Sequence, residues 1–175
     1  MSQADPNQAE PNQTEAASNR LSHVDPHGAA RMVDIATKPA TARTATARAV
    51  CCMNELTSQA VRNNSNSKGD VLAVARIAGI SGAKRTDELI PLCHSLPLEH
   101  LGIEFRWLDP THLEVTATAR CTGKTGVEME AMVAASLAAL TVYDMCKSSD
   151  REMRIENVEL LRKSGGVRGD FERIQ

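Results

Sequence analysis

Two stretches of this chain alternate strictly between apolar and polar residues. Leu101, Ile103, Phe105 and Trp107 are interleaved with Gly102, Glu104 and Arg106, and Leu113, Val115, Ala117, Ala119 and Cys121 with Glu114, Thr116, Thr118 and Arg120. A period of two marks half-buried strands. Asp109-Pro110-Thr111 between them supplies turn residues, so the pair is predicted to form an antiparallel hairpin. From about Gly126 to Lys147 the pattern changes to an unbroken apolar run, which predicts a helix belonging in a core. Met153 to Leu161 returns to alternation, but its phase slips at Asn157, as a β-bulge would cause.

Upstream the signals are weaker. Arg43, Ala45, Ala47, Ala49 and Cys51 share one side of a Thr- and Val-containing stretch, which leans towards strand. Asn54 is placed to cap a helix running to about Arg62, and Asp70 a second helix with Val71, Ala75, Ala78 and Ala83 on its buried side. Thr86 to about Leu92 reads as a short helix with Thr86 or Asp87 as its cap, and Arg31–Ile35 as a short extended segment. Residues 63–69 read as a loop, and Lys163 to Gly169 as a glycine-rich basic loop. Strands with one apolar face, covered by helices, indicate a single α+β domain from residue 21 to 175. The polar stretch 1–20 is expected to be a disordered tail.

Composition narrows the class. A net charge of −2 and an aromatic share of 2% argue against nucleic acid, whether bound through its backbone or by base stacking. The five cysteines form no disulfide framework, and the adjacent Cys93-His94 lacks zinc-ligand spacing. His23, Asp25 and His27 read as a lead-in rather than a metal cluster. With no apolar signal segment, and a longest apolar run too short to span a bilayer, a soluble cytoplasmic protein is expected.

The long helix carries the chemistry. Asp144 and Lys147 are three apart and share a helical face. Flanked by Val142, Tyr143, Met145 and Cys146, they are expected to be partly buried, where an acid and an ammonium serve one reaction as base and acid. Near the helix start, Glu128 and Glu130 suit the helix dipole or a site equally well. Glu130 and Asp144 lie 14 residues apart, hence about 21 Å along a straight helix, beyond the reach of one small substrate. If both serve one site, two copies of the chain must build it. Lys68 beside Gly69, and Lys163 before Gly165-Gly166, join positive charge to open backbone, a combination suited to phosphate. His94, between a helix and a strand, is either a structural residue or a binding one.

Several long words then occur in order. Lys68-Gly69-Asp70-Val71, Ala75 to Ile80, Ala83-Lys84-Arg85-Thr86, Leu89 to His94, Thr122 to Ala131, Leu140 to Lys147 and Lys163-Ser164-Gly165-Gly166 together resemble the cyclic pyranopterin monophosphate synthase family, MoaC, of molybdenum-cofactor synthesis. The resemblance implies a ferredoxin-like α+β fold assembled as a homohexamer, a trimer of dimers, with the site at a dimer interface. It implies a lyase that converts cyclised dihydro-GTP to cyclic pyranopterin monophosphate and pyrophosphate, without metal or organic cofactor. Carried over, Asp144 and Lys147 would be the catalytic pair with Lys68 assisting proton transfer. Leu92, Cys93, His94, Met129 and Glu130 would line the substrate pocket, and Lys163 and Arg43 would hold phosphates. The family pattern has a proline where this chain has Ser95, and Gly-Gly-Lys-Ser-Gly where this chain continues Val167-Arg168-Gly169. Two other classes compete: a non-catalytic nucleotide-binding module, which gives no reason for an acid beside a lysine in an apolar helix, and an RNA-binding sheet, which the scarcity of aromatics on the strands and the net charge oppose.

Overall fold

A computed structural model of the chain describes residues 27–167 and 169–174. The predicted tail, His23, Asp25 and Arg168 lie outside the described residues. The chain divides after Val33. Residues 27–33 comprise a turn and a mostly exposed segment, and the account below concerns the unit from Asp34 onward. Residues 34–40 join no sheet, and Ala36 N–H turns back onto Asp34 Oδ1.

Five strands form one antiparallel sheet: β1 (Thr41–Cys52), β2 (Leu98–Trp107), β3 (His112–Gly123), β4 (Arg154–Ser164) and β5 (Phe171–Glu172), in the order β2-β3-β1-β4-β5. Between β1 and β2 lie α1 (Glu55–Arg62), α2 (Val71–Ala83) and α3 (Thr86–Leu89), and between β3 and β4 lies α4 (Glu128–Cys146). The β-α-β-β-α-β order of the first four strands is the ferredoxin-like arrangement. The predicted hairpin is β2–β3, and Asp109 Oδ1 closes it by accepting from the Thr111 and His112 amides.

Alternation on β1 places Ala45, Ala47, Ala49 and Cys51 against the helices, all fully buried, as are Ala117 and Ala119 on β3 and Ala131, Ala134, Ala135, Ala138 and Ala139 on α4. Small residues on both layers let the backbone of α4 approach the sheet closely. The helix is long and apolar enough to cross a membrane, but much of its surface is buried within this fold, as in a core helix. The opposite sheet face is polar, with the buried Glu114 held between Arg48 and Arg106 at 3.4 and 2.8 Å.

Helix starts follow the sequence signals at Asn54, whose side chain accepts from Thr57 N–H, and at Asp70, which accepts from Ala73 N–H. Four readings need correction. On α2, Gly79 and Gly82 pack against α4 while Ala78 is only partly buried; a Cβ on Gly79 would stand 2.7 Å from the Ala134 carbonyl oxygen. Neither Thr86 nor Asp87 caps α3, because Thr86 Oγ1 donates back to the Ala83 carbonyl and is buried. That helix stops at Leu89, two residues ahead of Pro91, which disfavours helical geometry at Ile90. Lys163 and Ser164 belong to β4 rather than to a loop: the strand continues because Lys163 pairs with Ala45 on one side and Phe171 of β5 on the other. The bulge at Asn157 is present, with φ of 51°, and a second register shift falls opposite Thr46/Ala47.

Candidate functional site

The residues singled out by sequence separate into two groups at opposite ends of α4. At its C-terminal end, Asp144 Oδ1 accepts from Lys147 Nζ at 2.6 Å. Lys68 reaches across from the loop before α2, with Nζ 2.8 Å from the Asp144 backbone oxygen and 3.4 Å from Oδ2. That loop is shaped by Asn66, whose Oδ1 accepts the Lys68 amide while its Nδ2 lies 3.6 Å from Cys146 Sγ. Asn66 was not among the residues picked out; an Asn two places before Lys-Gly is the signal that marks such a side-chain turn.

The expected partial burial of Asp144 and Lys147 is not what a single chain shows. Their side chains are 58% and 53% exposed, because Val142, Met145 and Cys146 occupy the core face and leave the pair on the outer one. Hydrogen bonds from Lys147 and then Lys68 hold the Asp144 carboxyl below its usual range, and the same contact raises Lys147 above its own. Near neutral pH the group is therefore a carboxylate between cations. Behind it, burial pushes the Cys51 thiol up to about 12 and raises Cys146, so both behave as packing groups rather than nucleophiles.

The N-terminal end of α4 is built differently. Glu130 is only 3% exposed, and its Oε2 has no hydrogen-bond partner. Burial, reinforced by Glu128 and Asp87, raises its pKa to about 7. Helix capping leaves a carboxylate in water, so that reading fails for Glu130. Its charge is felt by Cys93 and Cys121, whose thiols are raised first by burial and then by Glu130. Leu92, Cys93, His94 and Met129 are each partly buried, and Cys93 N–H donates to the Ile90 carbonyl where the chain leaves α3.

Lys163 and Arg43 complete this end. The β1–β4 register pairs Lys163 with Ala45, on the same side of the strand as Arg43, so both side chains rise towards the start of α4. Lys163 Nζ lies 2.8 Å from Glu128 Oε1. Arg43 is buried, with Nε 3.4 Å from the Gly123 carbonyl oxygen. Lys124 donates to the Ala36 carbonyl at 2.7 Å, drawing residues 34–40 against the β3–α4 connection. Gly165, with φ of +87°, lies so close to β1 that a Cβ would strike the Ala42 carbonyl oxygen; only glycine lets the chain turn there.

The two groups together offer a carboxylate flanked by ammoniums at one end of the helix and, at the other, a buried carboxyl able to hold a proton. Acid, base and anion-binding functions are all represented, but Glu130 and Asp144 stand 14 residues apart along one helix.

The chain is similar to proteins whose names state an activity. A protein from Chloroflexus aggregans named cyclic pyranopterin monophosphate synthase is 54% identical over 157 residues, 89% of this chain and 94% of its own length. One of the same name from Brevibacillus brevis is 49% identical over 156 residues, covering 89% of this chain and 98% of its own. Molybdenum cofactor biosynthesis protein 1 of Drosophila melanogaster is 52% identical over 156 residues, which make up 27% of that longer protein. The profile of the MoaC family matches residues 32–166, a span that holds every residue of both groups, and the chain belongs to the MoaC family.

Proposed function

We propose that this chain is the lyase its relatives are named for, converting (8S)-3',8-cyclo-7,8-dihydroguanosine 5'-triphosphate to cyclic pyranopterin monophosphate with release of pyrophosphate. The observation that carries the reading is the division of labour along α4, in a chain of that family. Forming the cyclic phosphate expels a polyanion, and its growing charge needs fixed cations; Lys163 and Arg43 stand together at one end of the helix. Rearranging the purine-derived ring needs proton carriers at fixed positions, which Asp144, Lys147 and Lys68 supply at the other end. Leu92, Cys93, His94, Met129 and Glu130 would line the pocket, with Glu130 presenting a hydrogen-bond donor when protonated.

A separation of about 21 Å means that one copy cannot bring both ends to one substrate. The proposed site therefore joins the Glu130 end of one subunit to the Asp144 end of another, within a homohexamer built as a trimer of dimers. Closure by the second chain would strip water from Asp144, Lys147 and Lys68. Desolvation lowers an ammonium's pKa, working against the Asp144 contact that raises Lys147 and bringing it towards the range where it exchanges protons. The reaction so described uses no metal and no organic cofactor, and the enzyme would work in the cytoplasm. Incubating the pure protein with freshly made cyclised dihydro-GTP tests this directly. Stoichiometric pyrophosphate and an oxidisable pterin are expected; substrate that binds without turning over would make the chain a binding module.

A further inference from the structure

Glu128 opens α4, yet α4 has no side-chain cap hydrogen bond at its start. Its carboxylate is spent on Lys163 instead, with Oε1 2.8 Å from Nζ. Both side chains are partly shielded, at 26% and 35% exposure, so the pair is less screened than a surface contact. The carboxylate also lies directly over Gly126, where a Cβ would fall on Glu128 Oε2. The backbone at 126 thus leaves a seat for this anion, and the seat faces the ammonium assigned to phosphate.

We propose that Glu128 is a positioning residue, a resident anion that holds the Lys163 ammonium in place of a substrate polyphosphate and yields it when one arrives. This rests on the reading of Lys163 as a phosphate ligand. Binding then exchanges one ion pair for another: the phosphate oxygen takes the Lys163 contact, and the Glu128 carboxylate rotates towards water. Lys163 is never left without a counter-charge, so it stays aimed between turnovers. The return of Glu128 also competes with departing pyrophosphate and shortens its residence. Such a device trades affinity for release. A pair that merely anchors the helix start would carry no such trade.

Pyrophosphate titrated calorimetrically into the assembled enzyme is the probe, using wild type, Glu128→Gln, Gly126→Ala and Lys163→Gln. Both Glu128→Gln and Gly126→Ala should tighten pyrophosphate by about three- to tenfold, the worth of a partly shielded ion pair. In steady state, KM and kcat should fall together as release slows. Lys163→Gln should weaken pyrophosphate, and adding Glu128→Gln to it should produce no tightening. If Lys163→Gln leaves the affinity unchanged, the phosphate reading of Lys163 fails and this proposal fails with it. If Lys163→Gln weakens binding while Glu128→Gln and Gly126→Ala leave it unchanged or weaker, Glu128 is a structural anchor and only this proposal falls. Gly126→Ala decides the matter should Glu128→Gln not assemble, since it dislodges the carboxylate without removing its charge.

Discussion

The two ends of α4 each present a carboxyl group, and the fold treats them in opposite ways. Glu130 is buried without a partner for Oε2 and is raised to about 7; Asp144 is open to water, gripped by two ammoniums, and lowered. One helix and one functional group therefore yield a group that holds its proton near neutrality and another that has given its proton up. Environment rather than residue type sets that difference. The Asp144 end thus carries its charges in the open, while the Glu130 end is covered.

The sharpest way to break the comparison is to remove the exposed end. Asp144→Ala and Lys147→Ala should each reduce pterin formation by about a hundred- to ten-thousandfold. The proposed oligomer, followed by sedimentation, should persist in both variants, since neither side chain lies in the core. Dissociation together with lost activity would make the pair an assembly contact. Mixing extends the test to both ends. Glu130→Gln and Asp144→Asn chains, each inactive alone, should recover roughly a quarter of wild-type activity after subunit exchange at equal ratio, because a mixed dimer rebuilds one of its two sites. No recovery after verified exchange would place both ends in the same subunit's chemistry or in none.

The buried end makes a prediction in pH. Because the folded pKa of Glu130 exceeds its ordinary value of 4.5, its penalty is absent at low pH. It grows as pH rises from there through about 7 and is complete above it. Replacing Glu130 by Gln should leave stability at pH 4 nearly unchanged. At pH 8 it should raise stability by about 2–3 kcal/mol in denaturant melts, the penalty having been removed. A variant less stable at pH 8 would mean that the carboxylate is paired in the assembled protein.

What could be read from the sequence tracks how local each determinant is. The hairpin, the caps at Asn54 and Asp70 and the Asn157 bulge rest on neighbours within a few residues, and all were legible. The strand at Lys163 was not, since Gly165-Gly166 reads as loop while the pairing with Phe171 depends on residues beyond it. Legibility also failed for burial on α4. A helix apolar all round has no polar face to point outward, so nothing local says that Glu130 turns inward and Asp144 outward. The glycine contacts at Gly79 and Gly82 decide how close α2 stands, and they are visible only once α4 is in place.

The smallest expected effect sharpens the account of the exposed end. Lys147 is the first cause of the lowered Asp144 carboxyl and Lys68 the second, so the two lysines should act with unequal weight. Following the Asp144 side-chain carboxyl by carbon NMR through an acid titration, Lys147→Met should move its midpoint up towards the ordinary aspartate range. Lys68→Met should move it the same way but less, because its Oδ2 contact is longer, 3.4 Å against 2.6 Å. Stability linked to this carboxylate is present above the unfolded pKa and fades as pH falls through the folded one, so both variants should lose that acid-range protection. Exposure keeps the stability change small. Were Lys68→Met to shift the midpoint more than Lys147→Met, the loop lysine would be the dominant partner in solution.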